Sequence, residues 1–190
     1  MKLDRILPFA RKLLQLAIPN GGIAVDATMG NGHDTAFLAE LTGEDGHVFG
    51  FDVQQTALEN TRKRLEEKKA EGNVTLFNAG HENLKDYIPA DYHGKINGAV
   101  FNLGYLPGGD KSIATHGGTT IRAVEQLLEI MAAEAVIVLV VYHGHPEGKM
   151  EKDRVLSFAA SIPQEEAHVM QYSFINQVND PPFILAIEKR

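Results

Sequence analysis

Asp26, Asn31 and Asp34 surround two glycines, Gly30 and Gly32, in the stretch I-A-V-D-A-T-M-G-N-G-H-D from Ile23 to Asp34. A short apolar run stops at Asp26, and T-A-F-L-A-E-L after Asp34 reads as the first turns of a helix. Strand, glycine turn and helix start in that order begin a nucleotide-binding βα unit. Glycine admits positive φ and lets the backbone approach a ligand closely. Asp52 ends a second strand, H-V-F-G-F-D, twenty residues after Gly32. At that interval a carboxylate meets ribose hydroxyls, two acceptor oxygens facing the two donors of a vicinal diol. The competing use of Asp52 is to cap the helix that follows. His81 and Glu82 stand just past a third strand, beside the expected position of a nucleoside base, unless they only cap the next short helix. Asn102 ends a fourth strand and opens N-L-G-Y-L-P. His143 and His145 leave the strand A-V-I-V-L-V-V-Y.

The spacing narrows the ligand. A dinucleotide site asks for G-x-G-x-x-G, and here His33, Asp34 and Thr35 follow Gly32, so the third glycine is missing. Asp26 and Asp34 also bring negative charge to the place a pyrophosphate would occupy, where it would be repelled. A ligand with an ammonium and a sulfonium but no phosphate, S-adenosylmethionine, suits the turn instead. The pair His143 and His145, two apart with no third ligand nearby, makes a poor metal site. Their place at the carboxyl end of a strand, where open α/β sheets bind ligands, is the better argument for them. If the last strand is antiparallel, Asn179, Asp180, Pro181 and Pro182 come to the same edge; otherwise the prolines are strand-edge punctuation.

These residues need a sheet to hold them. Ile6, Ala10, Leu13, Leu14 and Ala17 form a helical stripe, with Arg5, Arg11 and Lys12 on or beside it, read as solvated charges in preference to an RNA contact. Pro19-Asn20-Gly21-Gly22 breaks that helix. Strands are expected at Ile23 to Val25, His47 to Asp52, Val74 to Phe77, Ile96 to Phe101, Ala135 to Tyr142, Ala167 to Phe174 and Phe183 to Glu188. The run Ala135 to Tyr142 is apolar and mostly β-branched, and reads as the sheet centre, buried on both faces. Helices are expected from Gln54 to Glu71, from Thr119 to Met131 and from Glu151 to Ala160. The glycine-rich segment from Gly108 to Thr115 suits a substrate lid. Seven strands with interleaved helices, closing on a strand pair, define an α/β doubly wound sheet with an antiparallel last strand, in one domain over residues 1–190.

Composition excludes several chemistries. The chain has 190 residues and no cysteine, which removes disulfides, thiolate metal sites and a cysteine nucleophile, and with it pyrimidine-C5 methylation through a covalent adduct. A net charge of −7 argues against broad electrostatic binding of nucleic acid, though not against a local basic patch. No apolar run approaches membrane-spanning length, so a cytoplasmic protein is expected.

D-A-T-M-G-N-G-H-D-T, N-L-G-Y-L-P, T-H-G-G-T-T, Y-H-G-H-P-E-G-K and N-D-P-P-F together resemble the small bacterial methyltransferases formerly labelled rRNA methylases. That family methylates 5-aminomethyl-2-thiouridine at the tRNA wobble position. The resemblance covers the whole chain in family order and implies a Rossmann-like class I S-adenosylmethionine-dependent fold. It also implies N-methylation to 5-methylaminomethyl-2-thiouridine, the tRNA anticodon loop as partner, and a homodimer. Asp26, Asn31, Gly32 and Asp34 would then hold the methionine part, Asp52 and Gln54 the ribose, and His81 and Glu82 the adenine edge. Asn102 to Tyr105 is similar to the N-P-P-Y segment of exocyclic-amine methyltransferases, with Leu103 and Gly104 in place of the prolines. In that segment the asparagine oxygen and a following carbonyl accept from the amine; Asn102 and Gly104 also border the cofactor. Asp34, His143, His145 or a solvent chain are open as proton acceptors. Tyr105 and Tyr142 suit stacking on the thiouracil ring.

Alternatives stay open. A methyltransferase of the same fold acting on rRNA or a small amine is the first. A basic rim of Lys2, Arg5, Arg11, Lys12, Lys111, Lys149, Lys152 and Arg154 would favour RNA; a closed neutral pocket would favour the amine. A non-catalytic scaffold is disfavoured by the intact Asp26, Asp52 and Asn102, and a nicotinamide enzyme by the missing glycine.

Overall fold

In the computed structural model, which describes residues 2–104, 115–144 and 146–190, seven strands form one sheet in the order β3-β2-β1-β4-β5-β7-β6. They are β1 (Ile23–Asp26), β2 (His47–Phe51), β3 (Val74–Phe77), β4 (Ile96–Leu103), β5 (Met131–Val141), β6 (Ala167–Tyr172) and β7 (Phe183–Lys189). β1 pairs in parallel with β2 and β4, β2 with β3, and β4 with β5. β7 runs antiparallel to both β5 and β6. Strand order reverses between β1 and β4, so the crevice of a doubly wound sheet opens at the carboxyl ends of these two strands.

Helices cover both faces because successive strand side chains point to opposite sides. Ala24, Val48, Val100, Val138 and Val140 pack on α1 (Ile6–Ala17), α2 (His33–Thr42) and α3 (Gln55–Lys68). Val25, Phe49, Phe101, Ile137 and Leu139 pack on α4 (Leu84–Tyr87), α5 (Gly117–Ile130) and α6 (Pro146–Ser161). The α1 stripe buries Ile6, Ala10 and Leu14, and each fully buried large aliphatic contributes about 1.5–3 kcal/mol. α1 therefore lies firmly across the sheet, and Leu7 and Arg11 beside the buried stripe are carried to the crevice.

Three expectations shift. β5 is buried as anticipated but is fifth in the order; the middle strand is β4. A φ of 63° at Glu134 marks an irregularity near the start of β5, whose pairing with β4 changes register between Ile96 and Gly98. The last helix begins at Pro146 rather than Glu151, since proline is accommodated in a first turn, where its missing N–H has no partner to lose. Asn102 lies inside β4, not past its end. Tyr105, His145 and the lid segment up to Ala114 lie outside the described residues.

Candidate active site

The glycine turn is clamped at three points. The Asp26 carboxylate accepts the Thr28 N–H (3.2 Å) and the Thr35 hydroxyl (2.7 Å). Asp52 accepts the Gly30 N–H at 3.1 Å and the Gln54 N–H at 2.9 Å. The Asn102 N–H donates to the Thr28 hydroxyl at 2.7 Å, tying the turn to β4. Gly32, at φ 75°, stands before α2, where an added Cβ would meet the Thr61 Cα at 2.8 Å. Its glycine serves close packing of the turn on α3.

A cavity of about 710 Å³ opens beside the turn, within the range of small-molecule sites. Asn31, Asp34, Asn102, Gly104 and His143 line it, together with Tyr142 and Asp180. Asn102 donates its side-chain N–H to Asp34 at 2.8 Å, which leaves the amide oxygen as an acceptor. The other Asp34 oxygen takes an Arg11 N–H at 3.1 Å. Asn31 accepts from Asn60 and, through its carbonyl, from Arg64. His143 places Nδ1 3.9 Å from an Asp180 oxygen, whose partner oxygen meets Lys149 Nζ at 3.2 Å. Asn179 and Asp180 both hold left-handed backbone, φ 67° and 48°, a conformation these two side chains tolerate better than most. Burial, and then the Asp34 charge, push the Tyr142 phenol above its usual pKa, so it stays a neutral donor.

Asp26, Gly32, Asp52, Gln54, His81 and Glu82 stand outside the lining of this cavity. Asp52 is half-buried at the end of β2, and each carboxylate oxygen keeps a lone pair for a further donor. His81 is buried, with Nδ1 3.0 Å from the Ala27 carbonyl. That nitrogen must carry the proton, and the buried Nε2 has no partner. Burial lowers the His81 pKa, so the ring is neutral and braces the turn. The Gln126 side chain donates to the Glu82 carbonyl. Leu7, Thr28, Met29 and His33 line the cavity without a role in the sequence reading, and Arg11 enters that reading only as a solvated charge or part of a basic rim. Only the docking of α1 sets Arg11 against Asp34; Thr28 sits in D-A-T with no spacing signal.

Asp26 is fully buried, and burial, followed by the nearby Asp34 charge, raises its pKa to about 7. The unfolded chain releases this proton near 3.8, the ordinary value for an aspartate, and the folded chain only near 7. Between those values the folded form holds the extra proton, so this group's contribution to stability falls as pH rises, and is flat outside the window. Asp26→Asn, similar in shape but uncharged, is expected to gain roughly 4 kcal/mol relative to wild type as the pH rises from 4 to 8. Denaturant unfolding at the two pH values measures it, and an unchanged difference would refute a raised Asp26.

A seven-stranded sheet with one antiparallel strand and a ligand crevice at the β1–β4 reversal is the fold of S-adenosylmethionine-dependent methyltransferases. An O-methyltransferase from Streptomyces achromogenes in complex with SAM shares it at TM-score 0.74 and 14% identity. The chain belongs to the family described as "Putative rRNA methylase", whose sequence profile matches residues 48–188, and it is a methyltransferase. It is 31% identical over 188 residues to the chloroplastic tRNA (mnm(5)s(2)U34)-methyltransferase of Arabidopsis thaliana, covering 95% of this chain and 68% of the plant protein. A Clostridium thermocellum structure with the same rRNA-methylase description is 40% identical at TM-score 0.96, over all of both chains. A Streptococcus mutans "putative methyltransferase" in complex with SAH is 38% identical at TM-score 0.88, over 99% of each chain. Among the described residues, no helix is long and apolar enough to cross a membrane.

Proposed function

We propose that the protein binds S-adenosylmethionine and methylates the aminomethyl nitrogen of 5-aminomethyl-2-thiouridine at the tRNA wobble position. The observation that carries this is the turned amide of Asn102. Asp34 accepts only, so it takes the Asn102 N–H and leaves the amide oxygen to receive an N–H from an amine in the cavity. The cofactor, when bound, supplies a methyl group on a positively charged sulfur. Asn102 orients the amine, so its lone pair points where that methyl stands. Asp34 keeps Asn102 turned, and Arg11 keeps Asp34 in place. Tyr142 offers a ring for the thiouracil to stack on. His143 takes the ammonium proton, and the Asp180 carboxylate 3.9 Å from its Nδ1 stabilises the imidazolium that results. Asp52 receives the ribose hydroxyls while it holds Gly30. The plant relative's activity and the segments that resemble the family support the tRNA assignment. We extend the reading to a cytoplasmic homodimer. Val169 and Met170, exposed on the edge strand β6, offer apolar surface to a second copy.

The test is methyl transfer from S-adenosylmethionine to tRNA of cells lacking the methylated wobble base, with digested nucleosides followed by mass spectrometry. Conversion of 5-aminomethyl-2-thiouridine to its N-methyl form is expected. Asp52→Ala should raise the KM for S-adenosylmethionine at least about tenfold, through the loss of charge-assisted bonds. Cofactor binding without conversion would sink the tRNA assignment and point to rRNA or a small amine.

A further inference from the structure

Arg11 is the one arginine or lysine among the described side chains that line the cavity, beside the two carboxylates of Asp34 and Asp180. Its guanidinium is fixed from two sides. Nη2 donates to Asp34 at 3.1 Å, and the Cζ lies 4.9 Å from the Phe37 ring centroid. A guanidinium is a flat fork of five donors that matches a carboxylate, and this ion pair uses one edge of it. S-adenosylmethionine brings two positive groups and one negative group, its α-carboxylate. α2 begins at the same wall, and Gly32 at its cap supplies no side-chain acceptor for the first-turn N–H groups. That helix end adds positive potential next to Arg11.

We propose that Arg11 receives the α-carboxylate of S-adenosylmethionine, with Asp34 beside it taking the α-ammonium. The proposal rests on the methyltransferase reading above. The Arg11–Asp34 pair presents opposite charges side by side, as the ligand's amino acid does, so the zwitterion docks charge to charge. The N-terminal helix thereby becomes part of the cofactor site. An RNA phosphate at Arg11 is the rival partner, and it explains less well a guanidinium held against Phe37 at the cavity wall.

The experiment compares calorimetric affinities of the full chain for S-adenosylmethionine and for decarboxylated S-adenosylmethionine, which lacks only the carboxylate. Wild type, Arg11→Ala and Arg11→Met are measured; methionine keeps an aliphatic stem over Phe37. Both variants are expected to bind S-adenosylmethionine at least about tenfold more weakly and the decarboxylated ligand within about threefold of wild type. That difference is the coupling energy between guanidinium and carboxylate. Equal losses for both ligands would overturn the proposal and leave Arg11 as a support for Asp34. Unchanged affinities with a raised KM for tRNA would also overturn it, in favour of an RNA contact. Failure of wild type to bind either ligand would bring down the methyltransferase reading itself, a result distinct from the others.

Discussion

Asn102→Ala is expected to lower the methyl-transfer rate about 100-fold, with the KM for S-adenosylmethionine changed much less. Alanine keeps the backbone N–H that holds Thr28, so β4 and the turn stay tied. What disappears is the acceptor for the amine and the donor that occupies Asp34 at 2.8 Å. An unheld amine samples many orientations, and few of them aim the lone pair at the methyl carbon. Asn102→Asp is the sharper variant. It puts a second carboxylate at hydrogen-bond distance from Asp34, where two like charges do not both ionise comfortably. The extra negative charge also favours the ammonium, which has no lone pair to attack with. A loss at least as large as for alanine is expected, with the folded structure intact by circular dichroism. Steady-state kinetics on hypomodified tRNA decide the matter, and a kcat within threefold of wild type for Asn102→Ala would remove that residue from the mechanism.

The second large effect falls on stability. Gly32→Ala is expected to cost roughly 3 kcal/mol and to lower Tm by about 6–12 °C. Part is the left-handed backbone at φ 75°, worth about 1–2 kcal/mol for a residue with a Cβ. The rest is steric, because the new Cβ would stand 2.8 Å from the Thr61 Cα, a backbone atom that cannot rotate aside. α3 must move off α2, and Thr61 then loses its bond to the Gly30 carbonyl. Thr61→Ala in the same chain removes a hydroxyl but not the Cα, so rescue should be partial at most. Thermal unfolding of the two variants measures this, and a Tm within 2 °C of wild type for Gly32→Ala would show that the two helices do not meet so closely.

These two sites differ in how far they can be read from sequence. Gly32 is legible as a turn glycine, because the break from apolar strand to glycines to helix is local. Its contact with Thr61, which forbids a Cβ there, is not. Asn102 is legible through its place at a strand end and its family-like segment. Its partner Asp34 lies 68 residues away, and only the parallel pairing of β1 with β4 brings the two together. The turn and the interval to Asp52 suggest S-adenosylmethionine from residue types alone, since charge and glycine placement are local properties.

The sequence by itself determined the seven strands, the glycine turn and the acid at the end of β2. Each depends on hydrophobic period or on spacing within a few dozen residues, and local backbone sterics and burial enforce both. The tertiary structure alone decided that β4 and not β5 is the middle strand, that Asp26 is sealed away with a raised pKa, and that His81 braces the turn. It alone put Arg11 on Asp34. The reason is physical: which face of a helix is apolar can be read along the chain, but where that helix crosses the sheet follows from the packing of the whole core. The charges on its flank, Arg11 among them, take their partners only after it has docked.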